Sequence, residues 1–221
     1  MGIGPYEIGW DSSNAGIYTG SCIELAAEIP NESVDLIMTD PPWDDAEWFN
    51  WLGGIGLRVL RPGGSLFSMC GKAELDKVMF QLSEHLTYNW MCAGYQPQSN
   101  LQFMPRRIME KWRPAVWYTK GKRKQAKFIS DLKSTNRDKR YHSWGQGESF
   151  FLYYMDKIGG DIVFEPFVGG GTTLAVAKTL GKHAFGFEID GEQAMIARKR
   201  VVEANIPLPI EFTEQSVLWE K

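Results

Sequence analysis

Asp40-Pro41-Pro42-Trp43 directly follows the apolar run Val34-Asp35-Leu36-Ile37-Met38-Thr39, at the strand end where α/β sheets collect residues that touch ligands. A carboxylate beside a proline-stiffened turn offers two aimed acceptors, the side chain of Asp40 and the main-chain carbonyl of Pro41. The exocyclic amine of a nucleobase is a weak nucleophile because its lone pair is delocalised into the ring. Two acceptors, each taking one N–H, draw that nitrogen toward a pyramidal shape whose lone pair points at an electrophile. Trp43 adds an aromatic face on which a base taken out of its duplex can stack. Taken alone, the tetrapeptide reads equally well as a proline-terminated strand with a buried indole.

A second constellation, Glu165-Pro166-Phe167-Val168-Gly169-Gly170-Gly171-Thr172-Thr173, is followed at the end of the next apolar run by Glu188. Glycines let a backbone approach a ligand at a helix N-terminus, and an acidic side chain about 20 residues on can accept from two ribose hydroxyls. A pyrophosphate binder would carry a third glycine where Leu174 stands, and a phosphate-binding loop a lysine where Gly171 stands. The pattern therefore suits a nucleoside without phosphates.

Hydrophobic periodicity supplies the elements that must hold these groups. Strands are predicted over 17–19, 34–39, 65–69, 115–119, 161–164 and 184–187, and helices over 23–28, 46–60, 73–86, 150–158, 172–180 and 191–204. Residues 61–64, Arg-Pro-Gly-Gly, read as a turn. Alternating strands and helices of this length imply a three-layer α/β domain with a largely parallel central sheet, occupying all of 1–221. Asp44 and Asp45 are candidate caps for the helix from 46, and Trp48 and Trp51 on that helix are expected to be core.

Charge is unevenly placed. Thirteen basic and three acidic residues stand between positions 106 and 140, a net +10, whereas the rest of the chain has eleven basic and twenty-four acidic residues, a net −13. Aromatic residues interleave the basic ones, which suits base stacking as well as phosphate neutralisation. Residues of about 95–145 are accordingly read as a basic, loop-rich nucleic-acid-binding insert. Within it Lys122, Arg123 and Lys124 are expected on phosphates, and Arg106, Arg107 and Arg113 nearer the bases.

With 221 residues, 43% of them hydrophobic and 23% charged, the chain has the composition of one globular domain, which sets aside disorder, collagen and disulfide scaffolds. No apolar run reaches the roughly 18 residues of a membrane span, and no signal peptide is evident. Cys22, Cys70 and Cys92 are widely spaced and fit core thiols of a reducing compartment. His85, His142 and His183 have no partners at metal spacing, so no metal is expected.

The runs SVDLIMTDPPW, LRVLRPGGSLF and GGDIVFEPFVGGGTTLAVAKTLGKHAFGFEID occur in the order that resembles the β-class amino-methyltransferases of adenine N6 and cytosine N4. The resemblance implies a Rossmann-like methyltransferase fold and S-adenosylmethionine as cofactor. It places Phe167, Gly169 and Gly171 around that molecule, Thr172 and Thr173 at its methionine end, Glu165 near its amino group, Glu188 on its ribose and Ser21 near its adenine. It assigns catalysis to Asp40, Pro41, Pro42 and Trp43, and Asp at the first tetrapeptide position goes with adenine. The chain departs from the family in having Gly20-Ser21 for Gly-Asp, Glu165 for Asp, Trp43 for Tyr, and no Lys-Pro near 145–148. The reading is a solitary DNA adenine-N6 methyltransferase of a prokaryotic or phage-infected cytoplasm, with a homodimer expected. Cytosine-N4 transfer, adenine-N6 transfer on RNA, and an inactive nucleic-acid-binding subunit of a methyltransferase pair stand as alternatives.

Overall fold

A computed structural model describes residues 2–8, 15–43, 45–123, 127–134 and 147–204. Strand β1 (Ile17–Thr19) leads through the short helix α1 (Cys22–Leu25) to β2 (Val34–Thr39), followed by α2 (Glu47–Val59), β3 (Leu60–Met69), α3 (Leu75–Ser83) and β4 (Thr87–Tyr95). A hairpin pairing Leu101–Phe103 with Ile108–Glu110 precedes β5 (Trp112–Thr119) and β6 (Leu132–Ser134). Then come α4 (Glu148–Ile158), β7 (Ile162–Glu165), α5 (Thr172–Thr179), β8 (His183–Glu188) and α6 (Gly191–Glu203).

The eight strands form one sheet in the order β6-β4-β5-β3-β2-β7-β8-β1. Only β5 runs against its neighbours, β3 and β4; the other pairings are parallel. Alternate side chains of the strands enter two cores. Ile37, Val116, Phe164 and Phe185 pack with Phe49 and Leu52 of α2 and Val78 and Leu82 of α3. Leu36, Phe67, Trp117 and Val163 pack on the other face with Phe150 and Tyr154 of α4, Leu174 of α5 and Ala194 of α6. This is the three-layer architecture that the alternation of elements predicts.

From β2 the chain proceeds to β3 on one side, and from β7 to β8 on the other, so the adjacent pair β2 and β7 is the switch point of the sheet. A crevice opens there beyond the carboxyl ends of the strands.

Three expectations need correction. First, the strand expected at 115–119 within the loop-rich insert of about 95–145 is longer and more central than predicted. Trp112–Thr119 is an interior sheet strand, buried from Arg113 onward. Because β5 is antiparallel, its first residues lie at the crevice edge and its last at the opposite pole, about 20 Å away along the strand. Second, Thr87–Tyr95, unassigned from sequence, is a nine-residue strand. Third, the Arg-Pro-Gly-Gly turn lies within β3: Val34 pairs with Leu60 and Leu36 with Ser65, which loops residues 61–64 out as a bulge. Gly63 takes φ +80° there.

Candidate functional site

The two motifs meet at β2 and β7. Thr39, the last residue of β2, donates its hydroxyl to Glu165 Oε1, which also accepts from the Phe167 N–H at 3.0 Å, while Oε2 accepts from Thr173 Oγ1 at 2.8 Å. Glu165 is only 3% exposed. Burial pushes its carboxyl up to about 8, against the downward pull of those three hydrogen bonds, and Asp40 adds to the rise. The same side chain therefore ties the tetrapeptide strand to the glycine turn and holds a buried acid at their junction.

Glu188 ends β8. Its Oε2 accepts from the Gly169 N–H at 2.8 Å and its Oε1 from the Asp190 N–H at 3.0 Å, so two main-chain donors fix the carboxylate. Each oxygen keeps a further lone pair for a ligand hydroxyl. Gly169 takes φ +51°, which brings its amide to Glu188. Gly171, expected around the ligand, does not line the cavity. A Cβ on it would meet Ala197 of α6 at 3.1 Å, and its φ is +77°, so this glycine serves helix packing instead.

One cavity of about 740 Å³ spans both motifs. At one end it is walled by Ser21, Phe167, Gly169, Thr172, Thr173 and Glu188, and at the other by Asp40, Pro41, Pro42, Trp43 and Arg113. Thus eleven of the twelve residues expected at the catalytic and cofactor sites converge: Glu165 joins these on the same wall, and Gly171 is the exception. Ser21 precedes α1 and makes no capping bond with its side chain. Phe167 is held edge-on by Trp48 and Trp51, with ring centroids at 5.1 and 6.0 Å. Both tryptophans pack on the core, as expected, but Trp48 also lines the cavity. Asp45 Oδ1 accepts from the Glu47 N–H at 2.9 Å, while Asp44 lies outside the described residues.

Arg113, expected nearer the bases than the phosphates, is 6% exposed and lies in the cavity wall, its guanidinium carbon 4.9 Å from the Trp43 ring centroid. Trp43 also meets Gly71, where a Cβ would come within 3.5 Å of the Trp43 Cβ.

Arg123, expected on phosphates, is a correction. Its guanidinium donates to the carbonyl of Gly63 at 3.1 Å and to that of Ile158, 5.7 Å from the Trp117 ring centroid. It staples the bulge of β3 to the end of α4, at the pole opposite the cavity. Lys122 is exposed at the same pole, and Lys124 lies outside the described residues. Arg106 and Arg107 are exposed at the tip of the 101–110 hairpin, on the crevice side. Arg106 Nη2 donates to the Ala73 carbonyl at 3.1 Å.

Sequence reasoning missed a buried support. Arg200 of α6 donates through Nη1 to the Gly170 carbonyl at 2.9 Å and to Thr172 Oγ1 at 2.8 Å, and pairs through Nη2 with Glu148 at 2.8 Å. A basic residue on the Ala194, Ala197, Val201 face of the helix was the available signal. Among the described residues no group of three His, Cys, Asp or Glu could hold a metal ion, and no helix is long and apolar enough to cross a membrane.

The profile of a family described as DNA methylase, of N6/N4 type, matches residues 149–199. The chain is 27% identical over 234 residues to the type II methyltransferase M.BamHI of Bacillus amyloliquefaciens, covering 78% of this chain and 54% of that protein. It is 26% identical over 247 residues to M.HinfI of Haemophilus influenzae, covering 85% and 68% respectively. The chain thus spans about half the length of the first of these relatives. Among solved structures, the cytosine-N4-specific PvuII DNA methyltransferase superposes with a TM-score of 0.74 at 17% identity, over 86% of this chain and 87% of that one. M1.HpyAVI in complex with SAM gives 0.72 at 22% identity, over 84% and 98%.

Proposed function

We propose that this chain, a member of the adenine-N6 and cytosine-N4 DNA amino-methyltransferase family, transfers a methyl group from S-adenosylmethionine to N6 of an adenine turned out of duplex DNA. The observation that carries this reading is the single cavity with a ribose-type carboxylate, Glu188, at one end and Asp40-Pro41-Pro42-Trp43 at the other. The donor set fits the cofactor: Glu188 has lone pairs for two vicinal hydroxyls, Gly169 and Gly170 give backbone access, and Glu165 supplies an acid for a cationic end. The cofactor would bring an electrophilic methyl group on a sulfonium. Asp40 and the Pro41 carbonyl hold the two N–H groups of the target amine, and Trp43 stacks on the base. Asp40 then takes the proton that the methylated nitrogen sheds.

Asp at the first tetrapeptide position supports adenine, although the same acceptors would serve cytosine N4. The deciding experiment supplies labelled cofactor with DNA or RNA, digests to nucleosides and identifies the product by mass. N6-methyladenine from DNA is the expected product; N4-methylcytosine, or label in RNA alone, would redirect the reading. Binding of DNA without transfer would favour an inactive subunit. The reading includes a cytoplasmic location and a homodimer, the latter tested by light scattering.

Glu188→Ala removes charge-assisted hydrogen bonds worth about 1.5–3 kcal/mol, so cofactor affinity should fall roughly ten- to a hundredfold. Calorimetric titration of a folded variant with unchanged affinity would remove Glu188 from the cofactor site.

The placement of the basic residues gives a second expected result. Arg106 and Arg107 lie on the crevice side and Lys122 at the other pole. If the hairpin tip meets phosphates, Arg106→Ala with Arg107→Ala should reduce the slope of log affinity against log salt by about 0.9 per lost duplex contact, and Lys122→Ala should leave it unchanged. Equal slopes for the hairpin variant and wild type would place the DNA elsewhere.

A further inference from the structure

We propose that the turn of the 101–110 hairpin is a wedge, with Met104 entering the duplex to fill the space that the extruded base vacates. The inference rests on the proposed transfer to a base turned out of duplex DNA and adds to it the residue that holds the duplex open. Met104 is 69% exposed on the turn of the hairpin, close before the exposed cations Arg106 and Arg107. Solvent-facing turns are ordinarily built from glycine, proline, asparagine, aspartate or serine. Met-Pro-Arg-Arg, residues 104–107, is instead an apolar tip followed by two cations. The turn is also stiff. Pro105 lies within its single turn of 3₁₀ helix, and the Arg107 N–H donates to the Met104 carbonyl at 3.2 Å. Arg107 takes φ +53°, a left-handed conformation that is costly for a residue other than glycine.

The segment that follows β3 joins this tip to the cavity. At Gly71 a Cβ would come within 3.5 Å of the Trp43 Cβ, and two residues on, the Ala73 carbonyl accepts from Arg106 Nη2 at 3.1 Å. Two residues of chain span at most about 7 Å. Between them Lys72 pairs with Glu110 at 3.7 Å and lies 5.0 Å from the Trp112 ring centroid, which fixes the root of the hairpin to the same segment. A base drawn onto Trp43 therefore leaves its gap within reach of the turn. Extrusion gives up stacking and pairing and opens an apolar space between the flanking base pairs; a thioether side chain conforms to such a space and returns apolar contact. Neighbouring cations neutralise the phosphates it must pass. Met109, also exposed, is paired with Gln102 on the stem of the hairpin and is not at the tip.

The test begins with wild-type protein and plasmid DNA: sequencing of the methylated positions locates the site, which is then placed in short duplexes. Met104→Ala is expected to lower kcat/KM on the ordinary duplex about tenfold, the loss of most of one buried apolar side chain. Cofactor affinity and the salt slope of DNA binding should not change, because no phosphate contact is removed. Met104→Leu should keep the rate, and Met109→Ala should stay within about twofold, as an exposed substitution does. The deciding duplex carries a pyrene nucleotide opposite the target, which fills the gap in place of a side chain and should erase the difference between Met104→Ala and wild type. Single-stranded DNA carrying the site has no gap to fill, so the two proteins should methylate it equally. A Met104→Ala rate equal to wild type on the ordinary duplex would overturn the inference and leave the methyl-transfer reading standing. So would an equal loss in Met109→Ala, or a loss that persists on both the pyrene duplex and the single strand. Absence of transfer to any DNA overturns the reading and the inference together.

Discussion

Asp40→Ala is expected to lower kcat for methyl transfer by about 10²–10⁴-fold, the range associated with loss of a positioned proton acceptor, while cofactor and DNA affinities change little. The separation follows from the site. Cofactor contacts are proposed at Glu188, Phe167, Gly169 and Glu165, which reach the cavity from β7 and β8, whereas Asp40 comes from β2 and faces the tetrapeptide end. Removing its carboxylate leaves the Pro41 carbonyl as the one remaining acceptor for an amine with two hydrogens. The nitrogen then stays planar and conjugated, and the proton shed after transfer has no adjacent base. Asp40→Asn keeps an acceptor oxygen without the charge, so a trace of activity should persist. Single-turnover measurement with labelled cofactor reads the step directly. Near wild-type turnover by the alanine variant would make the tetrapeptide structural.

The ends of the strands were legible because a parallel strand buried on both faces is written as a continuous apolar run. VDLIMT is β2 with the predicted boundaries, and the runs before Pro166 and at Glu188 are β7 and β8 within a residue or two. Strand β4 was hidden because only Cys92 and Gly94 of its nine residues are buried, while Tyr88 and Trp90 face out. The basic segment misled for another reason. Proximity in sequence is proximity in space only where the chain does not cross the domain, and β5 crosses it. Arg113 therefore belongs to the cavity and Arg123, ten positions later, to the opposite pole. The direction of a strand within a sheet is decided by its tertiary pairing, which leaves no mark on its own residues. The same holds for Arg200 and Glu148, 52 positions apart, whose pairing holds the glycine turn from behind.

Affinity for S-adenosylmethionine is expected to rise with pH from 6 to 8 and to do so through Glu165. Burial has moved this carboxyl up to about 8 in the cavity, so at pH 6 nearly all molecules carry it neutral. A neutral acid does not attract the cationic end of the cofactor. Binding of a cation favours the ionised form, which places the bound-state value below the free-state one, and between the two each binding event expels a proton. Affinity should then gain nearly tenfold from pH 6 to 7 and, with carboxyl and ligand amine both half-titrated at 8, about 25-fold in all from pH 6 to 8. Above 8 the α-amino group of the ligand, itself titrating near 8, loses its charge, so affinity should peak there and decline. Glu165→Gln should abolish the acid limb and bind throughout about as weakly as wild type does at pH 6. In that variant Oε1 can still accept from Thr39 and Phe167 while the amide donates to the Thr173 hydroxyl, which favours an intact fold. Calorimetry in two buffers of different ionisation enthalpy counts the proton released near pH 7. A dissociation constant flat from pH 6 to 8, with no proton released, would mean that Glu165 only ties β2 to the glycine turn and does not sense the ligand charge.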